Sequence, residues 1–182
     1  MDIFALFQVD IYERVLNNTS VVNMKETVLK VLAYLFENHI HGKKQIQTDN
    51  ADLYNELTHL GFPLHTINKA LSWIDALQEI QKDAKDFEMV GHRSTRIFTP
   101  QEQVRIEFES QNLLLHLKNI GILNPITFEL VIDKLLELEH YFIDTHDVQL
   151  VILMILSNHP AQKAELARME DLVLNDQRGT IH

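Results

Sequence analysis

The run Leu150-Val151-Ile152-Leu153-Met154-Ile155-Leu156 constrains this chain more than any other feature. It is far short of the ~18–20 apolar residues that a membrane-spanning helix needs, and too continuous for a single amphipathic stripe. A helix carrying it is apolar on every side and must be enclosed by its neighbours. The rest of the chain therefore has to supply the helices that wrap it. Composition agrees with that demand. Five Gly and four Pro in 182 residues are too few for a turn-dense all-β fold or a Pro/Gly-rich disordered chain. A hydrophobic fraction of 46% supplies enough apolar surface to offset the entropy of ordering. The expected fold class is all-α.

The wrapping helices are legible from caps and stripes. A first helix is expected over about 24–41, capped by Asn23 with Glu26, carrying Val28, Leu32, Leu35 and Phe36 on one face and stopped by Gly42. Asp49 or Asn50 opens a short second helix with the stripe Leu53, Leu57, Leu60, ended by Gly61. After Phe62-Pro63 a third helix sets Ile67, Ala70, Leu71, Ile74 and Leu77 at helical spacing. Thr99-Pro100-Gln101-Glu102 is a capping box with proline at the first helical position, and it predicts one long helix to about Ile120, stopped at Gly121. Asn124-Pro125 repeats the device ahead of Phe128, Val131, Ile132, Leu135 and Leu138. Asp144 or Thr145 opens the apolar helix, and Pro160 starts a last one with Leu166, Met169 and Val173 on its face. The polar tail Asn175–His182 is expected to fray.

Between Gln81 and Thr99 the helical period is lost, and Phe87-Glu88-Met89-Val90 and Ser94-Thr95-Arg96-Ile97-Phe98 alternate around Gly91 as in a small β-hairpin. Three helices followed by a hairpin is the order of a winged helix, whose third helix enters a groove while the wing touches phosphates. The division expected is therefore an N-terminal extension over 1–23, a winged-helix-like three-helix unit with a small β-hairpin over 24–98, and a C-terminal four-helix bundle over 99–182, with the two units packed together. In that arrangement His65, Asn68 and Lys69 on the third helix and His92, Arg93 and Arg96 on the wing are the candidate contacts to nucleic acid or to a partner.

Charge argues for the protein partner. The formal charge is −10, and residues 101–182 alone carry six basic against thirteen acidic side chains. A surface built to neutralise phosphates carries the opposite sign, so any phosphate contact belongs in the first half. Zero Cys excludes disulfides, thiolate catalysis and every Cys-based metal site, which fits a cytoplasmic chain. The N-terminus lacks a basic region ahead of its apolar residues and does not read as a signal peptide.

The remaining motifs carry little chemistry. None of the phosphate-cradling, dinucleotide-binding or G-x-S-x-G patterns occurs. Among ten His, His39 and His41 lie two apart, His59 and His65 flank a turn, and His140 and His146 are split by a loop, so none pairs at metal-ligand spacing on a helix. The cluster Glu137, Glu139, His140, Asp144, His146 and Asp147 sits where one helix ends and the next begins, and there Asp144 and Asp147 serve as caps and dipole partners. Trp73, Phe36, Phe62 and Phe108 each belong to or border an apolar stripe, so core packing is their expected role. No cofactor and no metal is expected, and the chain is read as non-enzymatic.

A resemblance adds to this reading. Met24-Lys25-Glu26-Thr27-Val28-Leu29, Tyr34-Leu35-Phe36-Glu37, Leu60-Gly61-Phe62, Leu71-Ser72-Trp73-Ile74, Arg96-Ile97-Phe98-Thr99-Pro100-Gln101-Glu102, Gly121-Ile122-Leu123-Asn124, the apolar seven-mer and Met169-Glu170-Asp171-Leu172 follow one another in an order and spacing that resembles the bacterial Smg protein family over about residues 24–182. The resemblance implies a small soluble protein with no established enzyme activity, so it brings no catalytic residue with it. Family members begin about where Met24 stands, which suggests that residues 1–23 are an extension or follow from an upstream start codon. Gln101 replaces an acid common in the family, while Thr99 and Glu102 keep the cap. The function expected is a cytoplasmic helical interaction protein that docks a protein partner without a membrane anchor; the alternative is a winged-helix-like nucleic-acid binder.

Overall fold

The computed structural model describes residues 27–36, 38, 51–83, 96–138 and 142–179. Its helices are α1 (Thr27–Leu35), α2 (Ala51–His59), α3 (Leu64–Asp83), α4 (Pro100–Arg105), α5 (Phe108–Asn119), α6 (Pro125–Glu137), α7 (Thr145–Asn158) and α8 (Lys163–Gly179), with a 3-10 turn at Pro160–Gln162 ahead of α8. The all-α class holds among the described residues. Expectations about residues 1–23, the Asn23 cap, the Gly42 stop, the hairpin residues 87–95 with His92 and Arg93, His39, His41, Glu139 and His140 lie outside them.

The apolar run does what its composition requires. Every residue from Val148 to Leu156 in α7 is buried, and α7 packs against α3, α5, α6 and α8. One apolar cluster extends from Leu29 in α1 through Leu71 and Ile74 in α3 to Val173 in α8. No helix of the described residues is long and apolar enough to cross a membrane.

Local signals set the helix ends. Gly61 and Gly121 adopt φ of 90° and 74°, the left-handed region that glycine enters at least cost. At each, paired bonds close the preceding helix: Gly61 N–H to Thr58 O with Phe62 N–H to Leu57 O, and Gly121 N–H to Lys118 O with Ile122 N–H to Leu117 O. The Thr99 cap accepts from Glu102 N–H while the Glu102 carboxylate accepts from Thr99 N–H. Asn124 Oδ1 accepts from Thr127 N–H at 2.8 Å. Asp144 and Asp147 form a second capping box. Leu60 departs from expectation: α2 ends at His59, so the third residue of its apolar stripe is 53% exposed.

Two further expectations are corrected. The helix predicted from Thr99 to Ile120 is broken at Ile106 and Glu107, where the backbone is extended with ψ of 117° and 151°. The cause is distant in sequence. Ile106 and Ile143 form an isolated parallel β-bridge, in which Ile143 N–H donates to Arg105 O at 2.8 Å and Glu107 N–H donates to Ile143 O at 3.1 Å. Side chains lock the break. Ser110 Oγ donates to Ile143 O, Gln111 Nε2 donates to Ile106 O, and the Arg105 guanidinium donates to the carbonyls of Leu136 and Leu138.

The second correction concerns the wing of the winged-helix-like unit. No strand occurs among the described residues, and Arg96-Ile97-Phe98, the described end of the predicted hairpin, is unpaired chain leading into the α4 cap. Its alternation has another origin. Phe98 is buried against Phe128, with ring centroids 6.3 Å apart, and Gln103 Nε2 donates to Phe98 O. Ile97 between them points away from the core and is exposed.

Candidate docking face on the third helix

Helix α3 is amphipathic because its apolar residues recur at helical spacing, and its buried side carries Ile67, Ala70, Leu71, Ile74 and Leu77. The opposite side is set by that same period. His65, Asn68, Lys69 and Ser72 are all exposed on it. Asn68 Oδ1 accepts a hydrogen bond from the Tyr54 hydroxyl of α2 at 3.0 Å, which orients the amide. Beside this face lies an open groove of about 400 Å³ lined by Val28 of α1, Asn68, Lys69, Ser72, Trp73 and Ala76 of α3, and Glu137 at the end of α6. Polar groups rim an apolar floor. Such a groove suits recognition by shape and a few hydrogen bonds.

Beneath the groove lies a pairing that the sequence did not reveal. The Trp73 indole N–H donates to Lys134 O at 3.2 Å. The Lys134 side chain is only 1% exposed, bonds Glu137 at 2.7 Å, and places its ammonium 5.6 Å from the Trp73 ring centroid. A lysine three residues from a glutamate is ordinary in a surface helix, so nothing in the sequence distinguished this one. Its burial goes with Trp73 of α3 packing against it. Tyr34 of α1, whose hydroxyl donates to Glu56 of α2, ties the neighbouring pair of helices. Burial and that carboxylate push the phenol up to about 12.

Arg96 belongs elsewhere. Its guanidinium makes two 2.8 Å bonds to Glu102 of α4 and one of 2.7 Å to Glu129 of α6, and it lies 5.6 and 5.8 Å from the ring centroids of Phe98 and Phe128. The bonds to Arg96, then those within the cap, hold the Glu102 carboxyl below its ordinary range. This cation is committed to closing the corner between α4 and α6. The structure therefore brings His65, Asn68 and Lys69 together on α3, while Arg96 serves a separate junction; His92 and Arg93 lie outside the described residues.

Of the acidic cluster near α7, Asp144 and Asp147 cap the helix, while Glu139 and His140 lie outside the described residues. Asp144 accepts from His146 N–H and Asp147 N–H, and Asp147 accepts from Asp144 N–H. Among the described residues no three His, Asp or Glu side chains gather in a way that could hold a metal. Of the four aromatics read as core, Trp73 and Phe36 are buried and Phe62 is partly buried against the core. Phe108 is not. It lies on the side of α5 opposite the buried Ser110, Leu114 and Leu117, and it is 75% exposed.

Comparison with known proteins places these features in a lineage. Residues 28–182 match the family described as "Protein of unknown function (DUF494)". The chain is 38% identical over 154 residues to a protein of Idiomarina loihiensis named "Protein Smg homolog", covering 84% of this chain and 98% of that one. A protein of the same name from Nitrosococcus oceani is 38% identical over 159 residues, covering 87% of this chain and all of its own. Another from Shewanella baltica is 37% identical over 154 residues, covering 84% of this chain and 98% of its own. No solved structure matches.

Proposed function

This chain belongs to the DUF494 family, with relatives named Smg homolog, and from that premise we propose that it is a non-enzymatic cytosolic interaction protein that docks a protein partner on the exposed side of α3. The observation that carries the reading is the groove of about 400 Å³, in which side chains of α1, α3 and α6 converge. Its rim offers an amide, a hydroxyl, an ammonium and a carboxylate from Asn68, Ser72, Lys69 and Glu137. Such a mixed rim fits a protein surface better than a polyanion, because one ammonium beside a carboxylate already paired with Lys134 is fewer cations than phosphate recognition recruits. The sequence holds no nucleophile elbow, phosphate loop or paired metal ligands to support chemistry. Zero Cys agrees with a reducing compartment.

A photo-crosslinking amino acid at Ser72 tests this in native cells. The expected result is one discrete crosslinked protein that disappears when Lys69→Glu and Asn68→Ala are combined. A diffuse smear unaffected by those changes overturns it.

Nucleic-acid binding through the same helix is the second reading, favoured by the exposure of His65, Asn68 and Lys69 on its first turns. It predicts salt-dependent retardation of a duplex or a structured RNA that weakens with Lys69→Ala. Arg96→Ala is no probe of that contact, because Arg96 is bonded to Glu102 and Glu129.

A further inference from the structure

The break between α4 and α5 is flanked by large apolar side chains that remain exposed. Val104, Phe108 and Phe142 are 63%, 75% and 58% exposed. All three flank the Ile106–Ile143 bridge, one on the last turn of α4, one at the start of α5 and one beside Ile143. Scattered apolar residues on a surface need no explanation, but three large ones around a single pinned feature do. The pinning matters as much as the exposure. Ser110, Gln111 and Arg105 fix the extended residues through bonds to Ile143, Ile106, Leu136 and Leu138, so the corner is held in one shape before anything binds and loses little freedom on binding.

The charge around it selects the occupant. Glu107 and Glu109 bracket Phe108, both are exposed, and neither carboxylate has a partner among the described residues. The nearest cation in sequence, Arg105, has its guanidinium on the Leu136 and Leu138 carbonyls. An anionic lipid surface or a nucleic acid meets repulsion here. A second copy joined about a two-fold axis brings the same acids face to face. The isolated bridge offers no open ladder of backbone groups for an added strand, so recognition falls to side chains, as when an amphipathic helix lays apolar anchors onto an apolar surface.

We propose that this corner docks a basic amphipathic helix of a partner protein, its apolar stripe on Val104, Phe108 and Phe142 and its lysines or arginines facing Glu107 and Glu109. The inference rests on the protein-docking reading above but uses a different face from the α3 groove. The probe is a short Leu/Lys amphipathic helical peptide titrated onto the full chain. Saturable one-to-one binding is expected, about tenfold or more tighter than for a Leu/Glu helix or for a peptide of the same composition with its leucines scrambled. Val104→Ser with Phe108→Ser lowers affinity about tenfold or more while leaving the circular dichroism and thermal midpoint unchanged. Glu107→Gln with Glu109→Gln flattens the salt dependence, whereas Glu79→Gln with Asp171→Asn does not.

Absence of binding, equal binding of the scrambled peptide, or indifference to the Val104/Phe108 change overturns the proposal. Self-association removed by Phe108→Ser overturns it in favour of a second copy. Tighter peptide binding after deletion of residues 1–26 overturns it in favour of the chain's own segment as occupant. A Ser72→Arg variant that keeps peptide binding separates this corner from the α3 groove, so that failure at one face is not failure at the other.

Discussion

Arg96 and Lys134 show how little a side chain's charge says about its task until its surroundings are known. Arg96 stood in the sequence as a cation on a wing, yet its guanidinium is bonded to the buried Glu102 and to Glu129. Arg96→Ala is expected to cost about 2–3 kcal/mol, below the range for a fully buried pair because Arg96 retains some exposure; denaturant melts of the full chain measure it. The pH dependence follows from Glu102. Its folded pKa lies below the ordinary 4.5, so its contribution is complete above that pH and is lost as pH falls through the folded value. Wild type minus Glu102→Gln should therefore give a constant stability difference near neutrality that shrinks below about pH 4.5, and a difference independent of pH counts against the assignment. Lys134 poses the opposite case. Its ammonium is buried, while its partner Glu137 is 49% exposed and is hydrated if left alone. Lys134→Met is thus expected to be neutral or stabilising by about 1 kcal/mol, whereas Lys134→Ala costs about 2–4 kcal/mol through the space it leaves.

At the scale of elements, what was legible in the sequence was what is decided locally. Thr99, Asn124 and Asp144 cap the helices they precede, and Gly61 and Gly121 end the helices they follow, because each acts through backbone groups within a few residues. The break at Ile106 was not legible. Thr99 to Ile120 carries no glycine and no proline after the first turn, and the helix is interrupted by Ile143, on the far side of α6, whose backbone bonds compete for Arg105 and Glu107. The docking corner escaped sequence reading for the same reason, since the break that pins it is set by Ile143, far away in the chain. Two substitutions test the two kinds of signal. Gly121→Ala meets no atom within 4 Å, so its cost is backbone strain alone, about 1–2 kcal/mol. Ser110→Ala removes a buried donor to Ile143 O and is expected to cost about 1 kcal/mol while loosening the break. Hydrogen exchange faster at Glu107 and Ile143 than elsewhere in that variant is the check; uniform protection rules out the pinning role.

At the scale of the molecule, α7 is the element on which everything else rests, because an apolar cylinder has no side to give to water. Helix α3 reaches α7 from the N-terminal side, and α5, α6 and α8 reach it from the other. The single tryptophan reports on the junction: Trp73 belongs to α3, but its indole bonds a carbonyl of α6, so its emission depends on α3 remaining seated on the later helices. Far-UV dichroism, by contrast, reads helix content everywhere. If α7 links the two halves into one cooperative unit, both probes must follow a single transition. Leu153→Ala, at a buried position of α7, is expected to lower stability by about 3 kcal/mol, which for a chain of this size shifts the melting midpoint by roughly 6–12 °C. The decisive outcome is the agreement of the probes rather than the size of the shift. Equal displacement of the fluorescence and dichroism midpoints means that weakening α7 loosens the α3–α6 contact and the helices together. A dichroism transition that moves while Trp73 fluorescence stays in place means that α1 to α3 hold Trp73 against α6 without help from α7, and the apolar helix is then the core of the C-terminal half alone.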